Sequence, residues 1–291
     1  MVRPGLLITR LLGVLKMKER AKLKIGIVGC GAIGSSLAGE IVTGLRKDAC
    51  LVALYDIKPE KAQSLSKKLT RNLNLCAGNL KALIKRSDLV IEASSARASW
   101  EIASQSLSGG CKVMVMSVGG MVGHLDELYV LSRKNNAMIY FPSGAISGID
   151  ALKAANIGEV QRVVLTTRKH PDAFSGVEYV EKNFKLAGLK HDKLLFKGNA
   201  AQAVKYFPQN VNVAAVLGLA GIGMRKTEVR IIASPKVKKN IHEIEIESKA
   251  AKIFTRTENI LHPLNPKTSF LAVLSAIATL KQILQPVKIG T

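Results

Sequence analysis

Aromatic side chains make up only 4% of the 291 residues, and a single tryptophan is among them. A surface that stacks nucleic-acid bases on interleaved rings is therefore disfavoured. Cysteine is scarce too: Cys30, Cys50, Cys76 and Cys111 lie far apart and include no Cys-x-x-Cys pair. That spacing excludes a disulfide scaffold and a zinc ribbon, and points to free thiols in a reducing, cytoplasmic compartment. His124, His170, His191, His242 and His262 form no i, i+4 pair and no cluster with acids, so no metal site is expected. Long apolar runs are missing as well. Gly5 to Leu15 is broken by Thr9 and Arg10, and the stretch from Phe270 ends at Lys281, both short of a bilayer span.

Acidic residues are in deficit, 21 against 43 Lys and Arg, which gives a formal net charge of +22. Part of the excess sits at the start, where Arg3, Arg10, Lys16, Lys18, Arg20, Lys22 and Lys24 face only Glu19; the rest is dispersed. A dispersed positive field suits a phosphate-bearing cofactor and a dicarboxylate substrate better than nucleic acid. With 47% hydrophobic residues and no low-complexity tract, the chain is long enough for about two folded domains. Residues 1–21 read as a basic leader or, more simply, as a mis-assigned start, with translation beginning at Met17.

From Lys24 to Pro142 apolar strands alternate with helical segments: Lys24–Gly29, Leu51–Asp56, Asp88–Ala93, Cys111–Ser117 and Ala137–Pro142. Their unbroken apolar character implies burial on both faces, as in an α/β, doubly wound parallel sheet of the Rossmann kind. Ser143 to Gly148 is a joint of small residues. Beyond it, Glu159–Arg168, Thr227–Ala233 and Asn240–Glu247 alternate with period two, which predicts a second α+β domain with a mixed or antiparallel sheet. Leu271–Leu284 reads as a last helix packing back on the first domain. The expected division is thus a dinucleotide-binding domain at 22–142, joined by 266–291, and a substrate domain at 143–265.

Gly29-Cys30-Gly31-Ala32-Ile33-Gly34 is a Gly-x-Gly-x-x-Gly between a strand and a helix. Its first glycine allows the tight turn, its second the approach of a pyrophosphate to the backbone, and its third close helix packing. The whole fingerprint, Ala32 and Ile33 included, is a cofactor-binding candidate. Asp56 closes the next strand, where a carboxylate accepts from ribose hydroxyls and repels a 2′-phosphate. NAD is therefore the expected cofactor, and Lys58 nearby leaves NADP possible. Ser94, in Glu92-Ala93-Ser94-Ser95, is a small residue at a strand's carboxyl end, where a cofactor passes close to backbone.

For proton transfer the second half offers His242, on one strand face with Ile244 and Ile246. Packed core and catalytic base are both open to a histidine in that position. Phe207-Pro208-Gln209-Asn210-Val211-Asn212-Val213-Ala214-Ala215 adds two amides at the head of an apolar helix, costly unless satisfied by a ligand or each other. Asn210 is a substrate candidate, and Arg168, Lys169 and Lys267 are candidate cations for an anionic substrate.

The chain from about Lys24 onward resembles the L-aspartate dehydrogenases of NAD biosynthesis. The likeness rests on the fingerprint, Pro142-Ser143-Gly144-Ala145-Ile146-Ser147-Gly148-Ile149-Asp150, Thr166-Thr167-Arg168-Lys169, the Pro208 to Ala215 run, Asn240-Ile241-His242-Glu243 and Asn265-Pro266-Lys267-Thr268-Ser269. What the resemblance implies is oxidation of L-aspartate to iminoaspartate with NAD or NADP, and in reverse the amination of oxaloacetate by ammonia. It also implies His242 as the active-site histidine, Ala145 and Asn212 as cofactor contacts, and a homodimer. Two departures stand out: Gln202 where an acidic residue is expected, which would loosen a loop or alter a salt bridge, and His170 in place of a proline. Two other readings remain, a homoserine-dehydrogenase-like or dihydrodipicolinate-reductase-like enzyme, and a non-catalytic NAD-binding redox sensor.

Overall fold

The computed structural model describes residues 21–70, 74–207, 212–263 and 265–290, without the side chains of 265–267. The leader reading thus falls almost entirely outside the described residues. In the first half the elements run β1 (Leu23–Val28), α1 (Ala32–Val42), β2 (Ala49–Tyr55), α2 (Pro59–Leu69), α3 (Leu80–Arg86), β3 (Leu89–Glu92), α4 (Ala96–Ser108), β4 (Lys112–Val115), α5 (Leu125–Lys134) and β5 (Ile139–Tyr140). All five strands are parallel, in the order β2-β1-β3-β4-β5.

Strand alternation sends Ile25, Ile27, Leu89, Ile91 and Met114 to one face, against Leu37, Ala38 and Ile41 of α1. Val28, Val90, Val113 and Val115 go to the other, against Leu83, Ile102, Leu107 and Leu128 of α3, α4 and α5. Both faces are covered, so every strand position gains by being apolar, and this is why the strands read as continuous runs. The carboxyl ends of β1, β3 and β4 then rise together, with the fingerprint and the Ser94 and Ser117 loops at their tips.

The second half runs α6 (Ile149–Ala155), β6 (Val160–Lys169), α7 (Glu178–Asn183), β7 (Lys193–Asn199), α8 (Ala200–Tyr206), α9 (Asn212–Ala220), β8 (Glu228–Ala233), β9 (Asn240–Ser248), β10 (Lys252–Asn259), β11 (Leu261–His262), β12 (Asn265–Ser269) and α10 (Phe270–Leu284). Strands β10-β9-β6-β8-β7 form a mixed sheet in which only β6 and β8 are parallel neighbours. One face packs Val163, Leu165, Ile231, Ala233, Ile244 and Ile246 on Leu152, Phe174, Phe207, Ala214 and Leu217. The other carries ion pairs, such as Arg162 with Glu228 at 3.7 Å and with Glu245 and Glu247 at 3.9 Å.

Strands β7 and β10 are additions to the sequence reading. Both lie at edges, where one side needs no apolar match. In β10 even Phe254 is 62% exposed. In β7 a register shift between Leu194 and Phe196 buries Leu195 and Phe196 side by side and breaks the period of two. Gln202 corrects a second expectation. It completes a capping box at the head of α8, accepting from the Asn199 N–H at 3.0 Å while Asn199 Oδ1 accepts from its own N–H at 2.9 Å, so it tightens that turn.

Helix α10 returns to the first sheet, where Ala276 and Leu280 join the cluster of Leu37 and Ile41. His262 of β11 adds a polar tie, its Nε2 lying 3.2 Å from Ser36 Oγ of α1. Among the described residues no helix is long and apolar enough to cross a membrane.

Candidate active site

The three fingerprint glycines have three different structural reasons. Gly29 has φ +97°, and a Cβ there would meet the Ala93 carbonyl oxygen at 2.4 Å. A Cβ on Gly34 would lie 1.9 Å from the Gly29 carbonyl oxygen, so its absence lets α1 pack on the turn. At Gly31 a Cβ would meet nothing within 4 Å. The surface above Gly31 is therefore open to a ligand, and α1 begins there with neither a side-chain cap nor an acidic residue in its first turn. Unsatisfied N–H groups and the positive end of the helix dipole suit a phosphate at that point. Gly34→Ala is expected to cost about 3 kcal/mol by overpacking. Gly31→Ala, with φ −75° and open space, is expected to leave stability within about 0.5 kcal/mol while weakening cofactor binding. Urea unfolding and cofactor titration of the two variants check this separation; equal losses of stability would contradict it.

Asp56 is fixed through both carboxylate oxygens: Oδ2 accepts from the Cys30 N–H at 2.8 Å and Oδ1 from the Lys58 N–H at 2.9 Å. At the next strand tips, fully buried Glu92 accepts from four donors, the N–H and hydroxyl of Ser94, both at 2.8 Å, and the N–H and hydroxyl of Ser117 at 2.9 and 3.0 Å. Burial raises the pKa of this carboxyl and outweighs the lowering effect of the donors. The Ser94 hydroxyl is thus turned inward, and Glu92 clamps the loops after β3 and β4 together.

Between the fingerprint and the second sheet lies a cleft of about 130 Å³. Its walls bring Ile33 of α1 and Met116 and Val118 after β4 opposite Gly144 and Ala145 of the joint, Asn212 of α9, and Lys169, Asn240 and His242 of the second sheet. Alternation in β9 places His242 beside Ile244 and Ile246, as its pattern predicts, and all three are buried. The antiparallel register sets Thr167 of β6 directly opposite His242, with Thr167 Oγ1 2.9 Å from Nδ1 of the ring. Lys169 follows two residues later on the same face and is 6% exposed.

Burial lowers the His242 pKa to about 3, with the Lys169 charge as a second cause. Burial alone lowers Lys169 to about 8. The imidazole is therefore neutral across the physiological range, beside a buried ammonium that an anion would stabilise. Asn212 Oδ1 accepts from the Gly119 N–H at 3.0 Å, tying α9 to the loop after β4. The Ala145 carbonyl accepts from Asn259 Nδ2 at 3.0 Å and Thr257 Oγ1 at 3.2 Å, which holds the joint against β10.

The sequence-predicted residues Ile33, Ala145, Asn212, Lys169 and His242 thus meet at one cleft, with Gly29, Gly31, Ala32, Gly34, Asp56 and Ser94 at the neighbouring strand tips. Arg168 does not join them. Strand parity turns it to the opposite face, where it pairs with Glu243 and Asp192, each at 3.3 Å. Asn210 and the Lys267 side chain lie outside the described residues. Sequence reasoning missed Asn240, although the same alternation that placed His242 puts it on that face, and it missed Glu92, whose signal is an acid ending an apolar strand.

Two family models match the chain: "Aspartate dehydrogenase, C-terminal" over residues 150–283, and "Homoserine dehydrogenase, NAD binding domain" over residues 29–142. The L-aspartate dehydrogenase of Methanosarcina mazei is 47% identical over 275 residues, which covers 92% of this chain and 100% of that protein. The Methanococcoides burtonii L-aspartate dehydrogenase is 44% identical over 272 residues, with the same coverage of 92% and 100%. In fold, the crystal structure of aspartate dehydrogenase from Thermotoga maritima superposes with a TM-score of 0.69 at 24% identity, covering 92% of this chain and 99% of that one.

Proposed function

The chain belongs to the L-aspartate dehydrogenase family, and from that premise we propose that its cleft oxidises L-aspartate to iminoaspartate, and in reverse aminates oxaloacetate with ammonia, in service of NAD biosynthesis. The observation that carries this reading is the pairing, on one buried wall facing the fingerprint, of a neutral histidine with a buried ammonium. In this reading residues 22–142 with 266–291 hold the nucleotide and residues 143–265 supply the substrate wall.

When bound, the nicotinamide supplies the hydride acceptor. The residues of the chain do the rest. Gly29, Gly31, Ala32, Ile33 and Gly34 seat the pyrophosphate on the head of α1, and the loop at Ser94, held by Glu92, passes close beneath. Asn212 and Ala145 orient the nicotinamide end. Lys169 meets one substrate carboxylate, and Asn210 and Lys267 are the further substrate candidates. Positioning must bring the substrate Cα within about 3–3.5 Å of the hydride acceptor. An ammonium-bearing carbon does not release hydride, so a proton first leaves the substrate nitrogen; His242 takes it in the loaded site, where a substrate carboxylate offsets the Lys169 charge that helps to depress the ring's pKa. In the reverse direction it returns that proton to assist loss of hydroxide from the carbinolamine.

NAD is the preferred cofactor in this reading, supported by Asp56 after β2, whose carboxylate beside the fingerprint turn would repel a 2′-phosphate brought near it. Asp56→Ser is expected to move the NAD to NADP ratio of kcat/KM toward NADP by about tenfold or more, each tenfold being about 1.4 kcal/mol. An unchanged ratio would remove Asp56 from the ribose. The free thiols suit a reducing cytoplasm, and the family resemblance supports a homodimer. The test of the reaction is absorbance in the reduced-nicotinamide band with L-aspartate and NAD, repeated with NADP and with homoserine. Aspartate-dependent reduction supports the proposal; reduction with homoserine alone selects a homoserine-dehydrogenase-like enzyme.

A further inference from the structure

We propose that Thr167 is the positioning residue of this site, accepting the Nδ1–H of His242 and so leaving Nε2 with its lone pair for the substrate nitrogen. This deepens the dehydrogenase reading and rests on it. The geometry is direct: Thr167 and His242 are register partners across β6 and β9, Oγ1 and Nδ1 are 2.9 Å apart, and the two residues are 4% and 3% exposed.

A buried imidazole nitrogen at that distance is hydrogen-bonded in one of two ways. Where the hydroxyl donates to Nδ1, the ring proton sits on Nε2 and the histidine cannot act as a base toward the substrate. Where Nδ1–H donates to the hydroxyl oxygen, Nε2 is a base, and the same bond persists once Nε2 has taken the proton. Only the second arrangement serves both halves of the cycle. A carboxylate at position 167 would fix that tautomer too, but it would stabilise the imidazolium. The uncharged hydroxyl, with the Lys169 ammonium on the same wall, fixes the tautomer and keeps the resting ring neutral, so that the imidazolium formed when Nε2 takes the proton readily gives it up again. Among the described residues Lys169 and His242 are the titratable groups lining the cleft, so no acid there competes for the Nδ1–H.

Thr167→Val keeps the shape and removes the acceptor, whereas Thr167→Ser keeps the acceptor and loses a methyl group. Thr167→Val is expected to lower kcat for aspartate oxidation by about 100-fold, the range of a lost general base, with little change in KM or in NAD affinity. Thr167→Ser is expected to remain within about threefold of the parent, a shift well inside the spread of minor core changes. Nitrogen-15 NMR of the histidine-labelled protein reads the tautomer itself. The proton is expected on Nδ1 in the parent and in Thr167→Ser, and on Nε2 in Thr167→Val. A parent proton on Nε2, or full turnover in Thr167→Val, overturns the proposal. Should Thr167→Val fail to fold, the parent spectrum and Thr167→Ser decide it. Should the parent not oxidise aspartate, the dehydrogenase reading falls, while the spectrum still reports whether Thr167 sets the tautomer.

Discussion

His242→Ala lowers kcat for aspartate oxidation by about 100-fold or more, the usual contribution of a positioned acid–base group, and leaves NAD binding intact. The reason is that Lys169, the other titratable group lining the cleft among the described residues, is proposed to be engaged with a carboxylate. The same substitution changes the response to acid. In the fold the imidazole stays neutral down to a pH of about 3, whereas in the unfolded chain it takes up a proton near its ordinary value of 6.5. Below that value the unfolded state therefore binds more protons than the native one. This one group makes stability fall as pH drops through the window from 6.5 toward 3, by about 1.4 kcal/mol per unit at most. His242→Ala removes that slope, so the difference in stability between parent and variant narrows as the solution is acidified. Urea midpoints at pH 7, 6 and 5, with stopped-flow turnover, check both halves. Full turnover would take His242 out of the chemistry, and an unchanged acid slope would mean that the ring is solvated.

Lys169→Met is expected to abolish efficient use of aspartate and to stabilise the protein. The two effects share one cause. The ammonium is buried and its pKa is depressed to about 8 from 10.5, so at pH 7 folding takes a charged group out of water. A shift of that size corresponds to about 3 kcal/mol, an upper limit of the gain, because the substitution also removes the interaction that Lys169 makes inside the fold. The counter-charge proposed for one substrate carboxylate is then lost, and kcat/KM for aspartate is expected to fall by about 100-fold or more. Between pH 8 and 10.5 the unfolded parent holds a proton that the native state has released, so parent stability rises with pH across that window and the rise is absent in the variant. Denaturant titrations at pH 7, 9 and 10 decide it. A variant less stable than the parent at pH 7 would show that the ammonium holds the fold together.

Much of this was legible in the residues. The fingerprint could be read because glycine is demanded there by a positive φ at Gly29 and by a near-contact at Gly34, and Asp56 because it closes the next strand. His242 was placed by simple alternation with Ile244 and Ile246. Arg168 and Lys169 were not separable, since Val163-Val164-Leu165 is apolar on both faces and hides the parity of β6; only the sheet turns one outward and the other into the cleft. Thr167 stands in the sequence only as part of the run Thr166 to Lys169, with no role of its own, for a different reason. Its importance depends on pairing with a strand 75 residues away, and register between distant strands is not written in either one. The edge strands β7 and β10 escaped because a bulge in one and solvent beside the other remove the pattern that betrays a strand.

The central claim is that this cleft passes the Cα hydrogen of L-aspartate to the nicotinamide as a hydride. Turnover of L-aspartate deuterated at C2 with NAD, followed by mass analysis of the reduced cofactor, tests it most directly. One deuterium per reduced nicotinamide, with none released to water, is the expected result. Reduced cofactor without the label, or no reduction at all with aspartate, would contradict it.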